Sequence, residues 1–230
     1  MKIGIIGAMA EEIALLEKQL TNKKEWSQAN AFFISGMVAN HEVFLVQSGI
    51  GKVNSAIAAT LLIAQYGVEA VINTGSAGGI GKGLKVGDVV ISTELAYHDV
   101  DATVFGYAIG QVPQMPARYP ADKGLMEKTA EAAKAVGLAP VQGVIVTSDS
   151  FVAGKGATAS ILEYFPDALA AEMEGAAIAQ VCFQFNKPFI IVRAMSDVAD
   201  EEAGVSFDEF IIEAGKQSAY MVLELLKAID

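Results

Sequence analysis

"KIGIIGAMAEEIALLEKQL", Lys2 to Leu20, decides the fold. It opens with a short apolar run of Ile and Gly, passes two glutamates, and then places Ile13, Leu15 and Leu16 at a helical spacing. A strand that is apolar at consecutive positions is buried on both faces, and a strand leading into a helix is the repeating unit of a sheet covered by helices. The same order returns in "VFLVQSGIGKVNSAIAATLLIAQYG" from Val43, in "GVIVTSDSFV" from Gly143 and in "FIIVRAMSDVAD" from Phe189. "EAVINTGSAGG" from Glu69 reads as a strand and a turn, and "ALAAEMEGAAIAQVCFQF" from Ala168 as a strand and a helix. These segments predict an α/β fold: a three-layer α/β/α sandwich around a central mixed, mostly parallel sheet, in one domain spanning residues 1–230. From Ser206 a helical period through Phe207, Phe210, Ile211, Ala214, Met221 and Leu225 predicts a packed final helix, with Phe207 at its start.

The chain has the material for a large core: 53% of its 230 residues are hydrophobic. Its apolar runs, such as "AIAATLLIA" from Ala56, fall short of the ~18 residues of a membrane span. The first residues read as a strand, without the charged head and cleavage site of a signal peptide. A net charge of −11 argues against nucleic acid or an anionic membrane as partner. One cysteine, Cys182, excludes an intramolecular disulfide, suits a reducing cytoplasm and reads as a small buried hydrophobe. His41 and His98 lie far apart without a ligand-like companion, so no metal site is expected.

In such sheets ligands collect beyond the carboxyl ends of the strands. Those ends carry Met9 and Glu12, Ser48 to Gly51 with Ile50, and Thr74 to Gly79 with Ser76 and Gly78. The later ones carry Ser148 to Phe151, Glu172 to Glu174 with Met173, and Arg193 to Asp197 with Ser196.

"GIIGAM" at Gly4 lacks the third glycine of a dinucleotide fingerprint, and Glu11 and Glu12 follow where a pyrophosphate would sit. Both glutamates also suit a helix amino terminus. "NTGSAGG" at Asn73 reads as a turn of small residues whose amides face an anion or a hydroxyl; the next cation, Lys82, is too far along for a phosphate nest. In "AEMEGAAIAQVC", from Ala171, two carboxylates interrupt an apolar run, and burying each costs several kcal/mol, on the order of what partners or chemistry must offset. Strand alternation puts Glu172 and Glu174 on one side. Glu174 projects into the cleft, where a carboxylate can accept from the 2′ and 3′ hydroxyls of a ribose, while Glu172 suits that role or an ion pair with Arg193 equally. Asp197, shielded from water, would have a raised pKa and hold a proton for a purine ring nitrogen; an N-cap is its structural alternative. "YHDVDATVFGYAIGQVPQMPARYPAD", from Tyr97, has no period but is too apolar for a solvated linker. It predicts a folded excursion, at about 97–120, that covers a pocket or meets a second subunit.

"GIIGAMAEE", "SGIGKVNSA", "NTGSAGG", "LKVGDVV", "EMEGAAIAQVC" and "RAMSDVAD" together resemble the 5′-methylthioadenosine/S-adenosylhomocysteine nucleosidases, along nearly the whole chain. The resemblance implies a cytoplasmic homodimer of the nucleoside phosphorylase type of fold. It implies hydrolysis of the N-glycosidic bond of adenine nucleosides, 5′-deoxyadenosine included, in methionine salvage, with no cofactor or metal. By motif, Glu12 resembles the residue that activates water and Asp197 the acid that protonates adenine N7. Glu174 with the Met173 backbone resembles the ribose clamp, supported by Ser76 and Arg193. Phe151 and the Val152 backbone resemble the adenine slot; Met9, Ile50, Met173 and Phe207 resemble the 5′-alkylthio pocket. Positions matching Ala102, Phe105, Tyr107 and Pro113 complete the neighbouring subunit's pocket, and the small Ala102 implies a roomier tail site. The rival readings are a phosphate-dependent nucleoside phosphorylase, a nucleosidase for another 5′ substituent, and a non-catalytic nucleoside sensor.

Overall fold

The computed structural model describes residues 1–200 and 202–229. The chain runs β1 (Lys2–Gly7), α1 (Ala10–Gln19), β2 (Thr21–Gln28), β3 (Ala31–Val38), β4 (His41–Gln47), α2 (Lys52–Ala64) and β5 (Ala70–Gly79). Then come β6 (Val89–Tyr97), a 3-10 turn (Thr103–Phe105), β7 (Tyr119–Pro120), α3 (Lys123–Ala135), β8 (Val141–Thr147) and α4 (Lys155–Tyr164). The last elements are β9 (Ala168–Glu172), α5 (Gly175–Gln184), β10 (Phe189–Asp197) and α6 (Ala203–Ala228).

Three layers form as the continuous apolar strands require. In β1, Ile3 and Ile5 enter one core with Ile13 and Leu16 of α1, Leu125 of α3 and Leu225 of α6. Ile6 enters the opposite core, with Leu62 of α2 and Ile178 and Cys182 of α5. A smaller cluster, Ile161 and Phe165 against Val144 and Val146, seats α4. No helix among the described residues is long and apolar enough to cross a membrane.

The sheet is mixed. Parallel β4–β1–β5 is extended by an antiparallel β3 and β2. On its other side β5 pairs with both β10 and β9, and β10–β6–β8–β9 completes a closed ring. β10 runs parallel to β5, whereas β6, β8 and β9 run the opposite way. The two sets meet at their carboxyl ends, where Gly78 of β5 pairs with Ala171 of β9. The polar residues that follow those strands are therefore brought to one place from opposite directions.

Four local expectations are corrected. "NTGSAGG" is no turn: β5 continues to Gly79, with Thr74 to Gly78 paired against Val192 to Asp197, because a strand on that flank supplies its ladder. α6 begins at Ala203, ahead of Ser206, and Phe210 is 40% exposed rather than packed. Asp197 ends β10 and is no N-cap; that position before α6 is Glu202. β9 ends at Glu172, so the strand alternation expected to put Glu172 and Glu174 on one side stops short of Glu174, which precedes α5.

The excursion after β6 is folded onto the body. The Gly110 amide donates to the Val100 carbonyl at 2.8 Å, and Val112 and Met115 pack against the core beside α5. Its tip is bare: Val104 and Phe105 are 84% and 77% exposed. Ala102 is buried within its own chain, Tyr107 half-buried and Pro113 exposed.

Candidate active site

Glu12 stands in the first turn of α1 and is 4% exposed. Its Oε2 accepts the amides of Ala8 (2.8 Å) and Met9 (3.2 Å), so it caps the helix that carries it. Its Oε1 accepts the amide (2.9 Å) and hydroxyl (3.0 Å) of Ser76 on β5. Three of these donors are fixed backbone groups; the Ser76 hydroxyl alone can rotate away. Of the β5 amides, that of Ser76 faces a carboxylate, and that carboxylate is Glu12. Gly75 makes the approach possible, since a Cβ there would lie 2.5 Å from Oε1. Glu11, one residue earlier, is exposed and serves only the helix end.

Glu172 and Glu174 separate on a count of hydrogen bonds. The Glu172 carboxylate accepts from the Thr147 hydroxyl, the amides of Glu174 (3.1 Å) and Gly175 (2.8 Å), and the Arg193 guanidinium. Four donors fill it, so although it borders the cleft it acts as an anchor. Glu174 has one firm donor, the Gly51 amide at 3.0 Å, with Arg193 Nη2 at 3.6 Å. It retains the acceptor capacity that a ligand diol requires. Arg193 lies behind the wall, fully buried, and also donates to Asn73 Oδ1 at 2.5 Å. Burial alone would lower its pKa, but Glu172, Glu174 and Glu12 hold it above the ordinary value.

Burial first, and Glu172 beside it next, push the Glu174 pKa up to about 8 against the pull of Arg193. For a carboxyl raised this way, stability is fully present below the unfolded value of about 4.3 and is lost as pH rises through about 8. The parent protein is accordingly expected to lose more thermal stability than Glu174→Gln between about pH 5 and about pH 9. Melting curves that shift equally in the two proteins would overturn this.

Asp197 is 1% exposed and accepts from the Ser196 hydroxyl and the Ala199 amide, both at 2.9 Å. Burial raises its pKa, and those two donors only partly oppose the shift. Gly78 leaves it space; a Cβ there would sit 2.8 Å from Oδ1.

All three acids open on one cleft of about 560 Å³, mouth included. Its polar wall is Glu12, Ser76, Gly78, Glu174, Ser196 and Asp197. Its apolar side is Met9, Ile50, Phe151, Val152, Met173 and Phe207, with the Phe151 and Phe207 rings edge-to-face at 5.8 Å. None of the lining residues is Lys or Arg. The cleft holds no residue of the excursion: Ala102, Phe105, Tyr107 and Pro113 lie elsewhere on the same chain. Ala8, Ala77, Ser150 and Ala171 also line it, and small residues of this kind carry no signal in a sequence. Thr147 and Asn73, which hold Glu172 and Arg193, do carry one: each is a polar residue at the end of an apolar strand run. Among the described residues no group of His, Cys, Asp and Glu is arranged to hold a metal ion.

The sequence profile of the phosphorylase superfamily matches residues 2–227. A 5′-methylthioadenosine/S-adenosylhomocysteine nucleosidase of Oceanobacillus iheyensis is 50% identical over 229 residues, spanning 100% of both chains. The crystal structure of the Neisseria meningitidis nucleosidase of that name, in complex with methylthio-immucillin-A, matches with a TM-score of 0.98 and 51% identity over 99% of each chain. That of the Streptococcus pneumoniae nucleosidase with the transition-state inhibitor MT-ImmA matches with a TM-score of 0.96 and 50% identity over 100% of each. By fold, by sequence along its length and by the company its buried acids keep, the chain belongs to the 5′-methylthioadenosine/S-adenosylhomocysteine nucleosidases of the phosphorylase superfamily.

Proposed function

We propose that the cleft hydrolyses the N-glycosidic bond of 5′-methylthioadenosine and S-adenosylhomocysteine, releasing adenine and the 5-thioribose product. One observation carries the reading: three acids from separate segments share a cleft, yet each is provided for differently. Asp197, whose pKa burial raises, can give a proton to adenine N7 as the bond electrons move onto the base. The sugar is left with positive charge at C1′. Glu174 takes the ribose hydroxyls through its free acceptor capacity, and the Glu12 carboxylate stabilises that charge. Water adds to C1′ and passes a proton to Glu12, while the Ser76 hydroxyl turns from the carboxylate to the water. One water is consumed, and both acids then exchange protons with solvent. Met9, Ile50, Met173 and Phe207 suit an alkylthio tail, and Phe151 with the Val152 backbone suits the purine. No cofactor or metal enters this scheme.

The rival is phosphorolysis. Phosphate would need cationic or free amide donors where Glu12, an anion, already takes the amides of Ala8, Met9 and Ser76. Adenine release from methylthioadenosine is therefore expected at full rate in phosphate-free buffer. A strict requirement for phosphate in a reducing-sugar or adenine assay would reverse the assignment.

This reading includes a single domain and a homodimer. Ile50 and Phe151, at the cleft mouth, are each 49% exposed, and Phe105 at the excursion tip is bare. A second copy would cover these surfaces, with Ala102, Phe105, Tyr107 and Pro113 meeting the neighbouring tail pocket. The cytoplasm is the compartment the reading assigns, in keeping with the free, buried Cys182.

A further inference from the structure

Glu174 depends on the Gly51 amide, and Gly51 immediately precedes α2. What fixes that amide lies outside the cleft. The next amide, that of Lys52, donates to Asp149 Oδ1 at 2.8 Å. The Lys52 ammonium reaches Asp99 at 2.7 Å and Asp149 at 3.6 Å, over the Tyr97 ring. The Asp149 amide in turn donates to Asp99 Oδ2 at 3.2 Å. Lys52, Asp99 and Asp149 thus join the start of α2 to the loop bearing Phe151 and to the end of β6, while none of the three lines the cleft.

Exposed ion pairs by themselves contribute little, so the charges are not the point. The two amides are. Successive N–H groups of one chain cannot move independently, and here one is held by Asp149 and the other holds Glu174. Gly51 has φ of +101°, a conformation that lets the two amides diverge toward separate carboxylates.

We propose that Asp149 is a positioning residue for Glu174: by holding the Lys52 amide it keeps the Gly51 amide on the carboxylate that receives the ribose. The inference rests on the ribose reading of Glu174. It is tested by kcat/KM for 5′-methylthioadenosine in Asp149→Ala, Asp149→Asn, Glu174→Gln and the Asp149→Ala/Glu174→Gln pair. Asp149→Ala is expected to lower kcat/KM about tenfold in the parent but less than about twofold beside Glu174→Gln, because its effect passes through Glu174. Asp149→Asn, which keeps an oxygen for the Lys52 amide, is expected to recover to within about threefold of the parent. Equal factors in the two backgrounds, no loss in Asp149→Ala, or an Asn variant as impaired as Ala would each overturn the proposal. Near-parental activity in Glu174→Gln would instead overturn the ribose reading from which it starts.

Discussion

Asp197→Asn is expected to release adenine from 5′-methylthioadenosine about a thousandfold more slowly than the parent while binding the nucleoside almost as well. The side chain is isosteric, and its surroundings accept the change. The amide oxygen can take the Ala199 N–H, and the amide nitrogen can donate to the Ser196 hydroxyl, which reverses its role. What is lost is a transferable proton, without which adenine must leave as an anion. The pH dependence has a definite sign. A general acid must hold its proton, so parental kcat/KM falls as pH rises through the elevated Asp197 pKa, and the variant lacks that limb. Stability moves independently. The raised pKa means that the neutral form suits the fold, with stabilisation present below about 3.9 and lost as pH rises through the folded value. A neutral amide should then melt no lower than the parent near neutrality. Stopped turnover with intact melting and binding separates an enzyme from a nucleoside sensor, which would have no turnover to lose. Turnover within about tenfold of the parent would remove Asp197 from the role of acid.

How much of this is legible in the chain depends on whether a feature is local. β1, β4, β5, β8, β9 and β10 announce themselves because each contains a run of consecutive apolar residues, as in Val43 to Val46, Val144 to Val146 and Phe189 to Val192, buried on both faces. β2, "TNKKEWSQ", carries no such mark: it is an exposed edge strand, and its lysines guard that edge against further pairing. The ring closure is equally silent. Its critical contact is a two-residue pairing of Gly78 and Gly79 with Ala171 and Ala170, small residues with no periodic signature. The same residues explain why "NTGSAGG" reads as a turn when taken alone. Gly75 and Gly78 leave room for the carboxylates of Glu12 and Asp197 rather than reversing the chain.

The acids themselves stand out because an apolar run tolerates a carboxylate only for a reason. Which acid does what is not local. Glu172 and Glu174 are two residues apart; beside the local amides of Glu174 and Gly175 that Glu172 takes, their donors are Thr147, Arg193 and Gly51, distant in sequence. Motif resemblance fills part of that gap, since it names Glu174 for the ribose. It gives no account of Glu172 as the group that fixes Arg193, nor of Asp149 behind Gly51.

Glu12→Gln should behave differently from Asp197→Asn, and the contrast tests the geometry of the whole cleft. Each Glu12 oxygen faces a fixed backbone donor: Ala8 and Met9 on one side, Ser76 on the other. A glutamine must therefore turn its NH₂ toward at least one buried N–H, whichever way it flips. The expected cost is about 1–3 kcal/mol of stability, or a melting point lower by roughly 2–4 °C per kcal/mol for a chain of this size. Turnover should also fall, by about 10²–10⁴, because an amide cannot take a proton from the attacking water. Thermal melting and adenine release measured on the two variants together decide the matter. Loss of activity with loss of stability at position 12, and loss of activity alone at position 197, is the pattern that four donors on one acid and a burial-raised pKa on the other require. If Glu12→Gln melts with the parent, the four-donor cradle does not exist in solution. If it also turns over within about tenfold of the parent, water is activated by another group and the hydrolytic role assigned to Glu12 fails.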